Sequence, residues 1–462
     1  MTAPLEVLGA ITDRAWLVGG ALRDELLGRD TVDADVVLDG DVRGVARELA
    51  RRAGGHPFAL SETFGAWRVV ARDRRWQVDL MPRAGDSLEQ DLARRDLTIN
   101  AIACRVGTDE LIDPYGGCAD LRARRLRMVS PTAFDADPLR VMRLARLSAE
   151  LAFEIERDTL QASAAAAPGL RAVAPERVFA ELRASLCGKQ ALSALRAMAS
   201  IGVIAVVAPE LAALRGVEQS DYHHLDVYDH TLEVLEQTIE LERDPASVFG
   251  VHASDVAAVL AEPLANEMTR GEALRFGALL HDAAKPATRV VRGDGRVTFL
   301  GHDEAGAELA REMLGRLRAS ERLISYVQAL VRHHLLLGFL VHEAPLSRRA
   351  VYRYLRACEP VEVDVTLLST ADRLATRGRG AETAIQRHLA LASEMMGEAL
   401  TWRAARPRPP IRGDRLARAL GIGPGPRLGG LLEELERAAF AGELQDEQAA
   451  IEFARRLLAQ ER

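Results

Sequence analysis

Residues 15–38 read AWLVGGALRDELLGRDTVDADVVL, and the way this stretch folds decides the architecture of the N-terminal part. The apolar run AWLV has the composition of a buried strand, and Gly19-Gly20 interrupts it just before the helical pattern ALRDELLG. A glycine turn between a strand and a helix N-terminus presents backbone N–H groups and the positive end of the helix, a setting that suits a phosphate. A plain tight turn is the other use of the same two glycines. The next strand, VDADVVL, carries Asp33 and Asp35 two positions apart, so both point to one face, about 7 Å apart along the chain. Two carboxylates on one face repel unless a cation lies between them; solvated acids at a strand end are the alternative.

Outward from this unit, DVRGVARELARRA (41–53) predicts a helix, and WRVVAR (67–72) and WQVDLMP (76–82) predict strands. Residues 15–130 therefore read as a small mixed sheet with helices packed on it. WQVDLMP adds a third carboxylate, Asp79. Three carboxylates on adjacent strands beside a phosphate-binding turn would hold two Mg²⁺ ions, the arrangement that activates a hydroxyl and stabilises a leaving pyrophosphate. Beyond about residue 130 strand signals nearly vanish and Ala/Leu/Arg/Glu segments of helical period run to the end. The predicted fold class is multidomain, an α/β head followed by all-α domains. A helix-breaking stretch at 209–220 and the Pro-rich RAARPRPPIRG at 403–413 set the expected boundaries: 1–128, 129–215, 216–402 and 403–462.

Size and composition agree with several packed domains. The chain has 462 residues, 48% hydrophobic and 27% charged, which excludes a wholly disordered or collagen-like chain. No apolar run approaches the roughly 18 residues of a membrane span, and MTAPLEVLGAITDRAW lacks the basic and apolar regions of a signal peptide, so a cytoplasmic protein without a membrane partner is expected. Cys104, Cys118, Cys187 and Cys358 lie far apart and suggest neither a disulfide framework nor a thiolate zinc site. Formal charge is -7, so a nucleic-acid partner must be held by a local basic surface. Residues 121–147 supply one candidate, with seven arginines against two aspartates, although a solvated helix face explains the same pattern.

Beyond the glycine turn and DAD come RRDLTINAIA (94–103), DPYGGCADL (113–121), DPLRVMR (137–143) and PERVFAEL (175–182). Their order over residues 15–190 resembles class II tRNA nucleotidyltransferases, the CCA-adding enzymes, and their bacterial poly(A) polymerase relatives. The resemblance implies a head of the DNA polymerase beta nucleotidyltransferase type, with Asp33 and Asp35 as metal ligands and Asp79 as the third catalytic carboxylate. It implies that Gly19, Gly20 and Arg23 meet the triphosphate, that Arg94, Arg95, Asp96 and Asn100 face its sugar and phosphates, and that Arg143 belongs to the nucleotide site. CTP, ATP and the tRNA 3′ end are the implied partners; the oligomeric state is left open.

Asp137 and Arg140 permit a chemical argument for nucleotide choice. Cytosine and adenine each present an exocyclic amine beside a ring-nitrogen acceptor, whereas uracil and guanine present a carbonyl beside an N–H. A carboxylate beside a guanidinium fits the first pair and repels the second. Placed i, i+3 on a helix, the two side chains are expected to share a face and read C or A without a template; an ordinary salt bridge is the alternative. Two departures from the family pattern stand out. Ala136 stands where relatives usually have Glu, and only RAGDSLEQ separates WQVDLMP from DLARRD, where CCA-adding enzymes commonly carry a longer flexible loop. In the family, loss of that loop accompanies enzymes that add CC and leave the final A to another protein.

The helical part carries His230 in DVYDHTLEVL, His281-Asp282 in LLHDAAK and Asp372 in STADRLA. This order resembles the HD phosphohydrolase superfamily and implies a divalent ion of unspecified identity held by these four residues. His302, His333 and His334 could extend the site to a second ion, although capping or core roles are the commoner use of a single histidine. His223, His224, His252, His342 and His388 read as structural or surface residues. The expected function is template-independent addition of C, and of A in a CCA-adding enzyme, to the tRNA 3′ end, with phosphoester hydrolysis in the HD domain. Competing expectations are a poly(A) polymerase, a CC-adding enzyme, and an HD phosphohydrolase whose head binds RNA without catalysis.

Overall fold

The computed structural model describes residues 2–220, 224–378 and 380–460. It divides into two units, Met1–Val207 and Ala208–Arg462.

The first unit begins with α1 (Thr2–Gly9), β1 (Ala15–Val18), α2 (Gly19–Leu26), β2 (Asp33–Leu38), α3 (Val42–Ala53) and β3 (Gly55–Ser61). It continues through β4 (Ala66–Ala71), β5 (Gln77–Pro82), α4 (Leu88–Ala93), β6 (Ala103–Arg105), β7 (Leu111–Ile112) and α5 (Gly117–Ala123). The strands form one sheet of order β3-β4-β5-β2-β1-β6-β7. The pairing of β2 with β5 is parallel and every other pairing is antiparallel.

Register decides which side chains share a face. One row runs Asp33–Gln77–Val70–His56 and the next like-facing row runs Asp35–Asp79–Arg68–Phe58. Because side chains alternate along each strand, these rows share one face, and Val36, Val69, Val78 and Leu80 lie on the other, fully buried. Helix α3 packs there. Its apolar stripe of Val42, Ala46, Leu49 and Ala50 is buried, Asp41 caps its start by accepting from the Gly44 N–H, and Gly54 ends it in the left-handed region. On the opposite face Trp16, Val18, Val37, Leu92, Ala101 and Ala103 form a small core, so Asp33, Asp35 and Asp79 sit at its margin. Strand β3 escapes the sequence reading because GHPFALS contains proline and lacks clean alternation; as an edge strand it tolerates both.

The rest of the first unit is helical, including Arg140–Leu151, Pro175–Cys187 and Ala191–Ile201. In the second unit Val227–Arg243, Arg270–Leu280, His302–Arg316, Glu321–His333 and Glu362–Ala375 pack on one another. A buried triad ties three of them: Arg270 pairs with Asp364, which also accepts from the Tyr326 hydroxyl at 2.7 Å. Helix Ala381–Ala404 runs into the stretch expected to be a linker. The irregular part is 405–412, followed by helices Gly413–Leu420, Pro426–Phe440 and Glu447–Gln460 around Leu416, Leu431, Leu435 and Ala450. Glu321–Glu343 is long and apolar enough to cross a membrane by composition. The helix inside it ends at His333, and Leu323, Val327, Leu330 and Val331 are buried in the bundle.

Candidate active site and metal centre

The turn between β1 and α2 is built around Gly19, whose φ is +74° and where a Cβ would lie 3.1 Å from Arg95 Nη1 and 3.2 Å from Asp35 Oδ2. Glycine is therefore required both by conformation and by close approach. Burial, followed by the charge of Asp79, pushes the Asp35 carboxyl above its usual range, although Arg95 and Arg143 oppose the shift. A cation among these acids would relieve that repulsion, so the residues present suit a divalent ion. Asp79 is less available than its sequence position suggests. Arg68 grips both of its oxygens, at 2.6 and 2.7 Å, leaving Asp33 and Asp35 as the open pair.

Arg23 is buried, forks over Asp24 and donates to Asn100 Oδ1 at 3.0 Å. Asn100 in turn donates to Asp96 Oδ1 at 2.9 Å, and Asp96 Oδ2 lies 3.1 Å from Arg143 Nε. Burial alone would raise Asp96, but Arg143, the Asn100 amide and the Leu97 N–H hold it below the usual carboxylate range. The chain of contacts fixes α2 to the helix Arg140–Leu151 through charge-assisted bonds. Arg95 makes only long bonds, to Asn100 O at 3.5 Å and Asp91 at 3.4 Å. Among the described residues Arg94 has no side-chain ion pair. Both arginines line a cavity of about 540 Å³ with Val37, Phe64, Met81 and Asp91.

Asp137 and Arg140 do not share a helix face. Asp137 is extended, with φ -151° and ψ 99°, and the helix begins at Arg140. Pro138 is the cause, because a residue before proline is disfavoured in the helical region. Arg140 donates to the carbonyls of Ala133 at 2.9 Å, Arg94 at 2.6 Å and Arg95 at 3.5 Å. The guanidinium beside Asp137 is that of Arg177, at 2.8 Å.

In the second unit, His230, His281, Asp282 and Asp372 meet. His230 Nε2 lies 3.0 Å from Asp372 and 3.7 Å from Asp282, and His281 Nε2 lies 3.1 Å from Asp282. His302 and His334 join them, whereas His333 does not; His223 lies outside the described residues. The Nδ1 atoms of His281, His302 and His334 sit 2.8, 2.7 and 2.6 Å from the carbonyls of Ala278, Phe299 and Val331. A carbonyl only accepts, so each Nδ1 carries hydrogen and each neutral ring aims an Nε2 lone pair inward. These buried Nε2 atoms and Asp282 Oδ2 lack hydrogen bonds of good geometry, and lone pairs gathered around carboxylates are a metal-binding donor set. Lys285 Nζ also reaches Asp282, at 2.6 Å, and Gln219 at 2.7 Å. A cavity of about 310 Å³ opens beside Asp372 and His334, lined also by Phe339, His342, Arg373 and His388.

Family models match three stretches: the poly A polymerase head domain at 15–127, the probable RNA and SrmB-binding site of polymerase A at 152–214, and the HD domain at 227–377. An A-adding tRNA nucleotidyltransferase of Deinococcus radiodurans is 36% identical, covering 96% of this chain and 95% of the relative. The chain belongs to the tRNA nucleotidyltransferase family. A CC-adding tRNA nucleotidyltransferase of Thermus thermophilus is 34% identical over 95% of this chain and 92% of its own. A solved CCA-adding enzyme in complex with ATP shares the fold, with a TM-score of 0.66, 21% identity and coverage of 99% and 95%. A Thermotoga maritima CCA-adding enzyme complexed with tRNA gives 0.60, 21%, 98% and 94%.

For a tRNA nucleotidyltransferase, the sequence reading overlooked Arg68 and Arg177. Alternation along β4 placed Arg68 on the carboxylate face, but its pairing with Asp79 required the β4–β5 register. Nothing local indicated that Arg177 reaches Asp137 across 40 positions.

Proposed function

We propose that the chain adds C from CTP to the tRNA 3′ end and stops after two additions. The observation that carries the stop is the connection between β5 and α4, which spans only residues 83–87. It is held by Arg83 on Asp39, by the Ala84 N–H on Asp91 at 2.9 Å and by the Asp86 N–H on Gln90 at 2.8 Å. A segment this short and tied has no slack to reshape the site for ATP after the second C. The CC-adding relatives of Thermus thermophilus and Geobacter sulfurreducens support the same choice, and the A-adding Deinococcus relative supplies the alternative.

In the proposed reaction the tRNA 3′-oxygen attacks the α-phosphorus in line; the new O–P bond forms as the bond to the pyrophosphate oxygen breaks. Divalent ions, Mg²⁺ in this proposal, lower the pKa of the hydroxyl and neutralise the departing pyrophosphate when bound. Asp33 and Asp35 would hold them, with Asp79 kept in place by Arg68. The Gly19-Gly20 turn leaves backbone N–H groups for phosphate, and Arg94 and Arg95 are positioned to pair with the triphosphate. Asp137 accepts from the exocyclic amine of the incoming base. A tRNA substrate places the protein in the cytoplasm.

The HD domain is proposed to hydrolyse phosphoesters with a divalent ion on His230, His281, Asp282 and Asp372, the adjoining Arg373 and His342 pairing with phosphate. Sequencing products made from tRNA lacking CCA, with CTP, ATP or both, tests the transfer. Two C residues and no A support it. A completed CCA overturns the stop, repeated A from ATP alone indicates a poly(A) polymerase, and a single A accepted only by tRNA ending in CC indicates A addition.

A further inference from the structure

Asp282 stands between two pairs of histidines and offers a different oxygen to each. Its Oδ2 faces His281 at 3.1 Å and His230 at 3.7 Å; its Oδ1 faces His302 at 3.3 Å and His334 at 3.9 Å. In each triad, His230-His281-Asp282 and Asp282-His302-His334, the ligand atoms lie within 4.8 Å of one another, and every member is buried. Donor atoms held at about 2.1 Å from one ion are separated by about 3 to 4.3 Å, so each triad can close on an ion with small side-chain movements.

The second triad has its own structural basis. His302 is the first residue of helix His302–Arg316, set there by Gly301 at φ +77°, and His334 directly follows helix Glu321–His333. These two helices pack against each other. The His302 and His334 rings are 5.3 Å apart with an interplanar angle of 63°. Both rings donate through Nδ1 to a backbone carbonyl, so both Nε2 lone pairs point at Oδ1. Lone pairs aimed at a carboxylate oxygen are mutually repulsive without a proton or a cation between them. Lys285 answers that need only at Oδ2; among the described residues no lysine or arginine forms an ion pair with Oδ1.

We propose that the HD domain holds two divalent ions bridged by Asp282, the second bound through Oδ1 by His302 and His334. The proposal rests on reading His230, His281, Asp282 and Asp372 as the first centre. Two neutral imidazoles and a carboxylate oxygen select first-row transition ions such as Mn²⁺, Co²⁺ or Zn²⁺ over Mg²⁺ or Ca²⁺. Two adjacent ions suit one substrate class, a phosphoester whose oxygens span both. The cavity beside His334 and Asp372 gives such a group a path of approach.

The test uses the full chain carrying Asp33→Ala and Asp35→Ala, so that the head contributes no tightly held ion. After loading with Mn²⁺ and desalting, elemental analysis should give two ions per chain, and electron paramagnetic resonance should show an exchange-coupled pair. His302→Gln, His334→Gln and the double variant should each retain one ion and show the spectrum of an isolated Mn²⁺. Circular dichroism identifies any variant that fails to fold, and the remaining single variant then decides. One ion in the parent, or two in the folded variants, overturns the second site. A parent that binds none overturns the first centre as well.

Discussion

Replacing Asp137 by Ala gives the sharpest test of how the nucleotide is chosen. The carboxylate sits 2.8 Å from Arg177, with side chains 30% and 54% exposed, so the pair itself contributes only about 0.5 kcal/mol to stability. The variant should therefore melt near wild type. The base contact is different, because an incoming triphosphate excludes water from it. Removing an acceptor that is charged and buried by substrate costs about 1.5 to 3 kcal/mol, or about tenfold to a hundredfold in kcat/KM for CTP. UTP presents a carbonyl where CTP presents the amine, so its rate should fall less and the CTP-to-UTP ratio should shrink. Steady-state rates with CTP, ATP and UTP on truncated tRNA give the numbers. Arg177→Ala should shift the same ratio. Arg140 holds three backbone carbonyls, so Arg140→Ala should lower activity with all nucleotides together. An unchanged CTP-to-UTP ratio in Asp137→Ala would refute the reasoning and make Asp137 a helix-start residue only.

Asp33→Ala or Asp35→Ala should abolish nucleotide addition while leaving the melting temperature unchanged or higher, since each removes one of several crowded negative charges; transfer near the wild-type rate in a primer-extension assay would move the site elsewhere. His281→Ala with Asp282→Ala should leave nucleotide addition nearly intact and eliminate metal-dependent phosphoesterase activity, measured with a chromogenic phosphodiester. An equal fall of both activities in a folded double variant would contradict two independent centres. Arg270→Ala strands the fully buried Asp364 without its counter-ion, a loss of about 3 to 5 kcal/mol. Urea denaturation should show it in the second unit, and a change under about 1 kcal/mol would mean that Tyr326 and water suffice.

Periodicity alone settled much of this protein. Alternation put Asp33 and Asp35 on one strand face, the apolar run before Gly19-Gly20 marked β1 and the turn, and the helical stripe of 42–53 required a sheet to pack against. These are consequences of bonded geometry, which acts over a few residues. The order of His230, His281-Asp282 and Asp372 likewise pointed to one site, since its members are useless for chemistry apart. Local pattern has no access to the partner of a long side chain. Arginine reaches several ångströms and accepts any carbonyl or carboxylate on offer, so only the packed chain shows that Arg68 takes Asp79, that Arg140 holds the backbone of 94–95 and 133, and that Arg177 meets Asp137. Even the i, i+3 pairing of Asp137 with Arg140 failed for a local reason that spacing ignores, the proline between them. His302 and His334 were ordinary histidines in the sequence; the packing of two helices and three carbonyl bonds that fix ring tautomers are what turn their nitrogens toward Asp282.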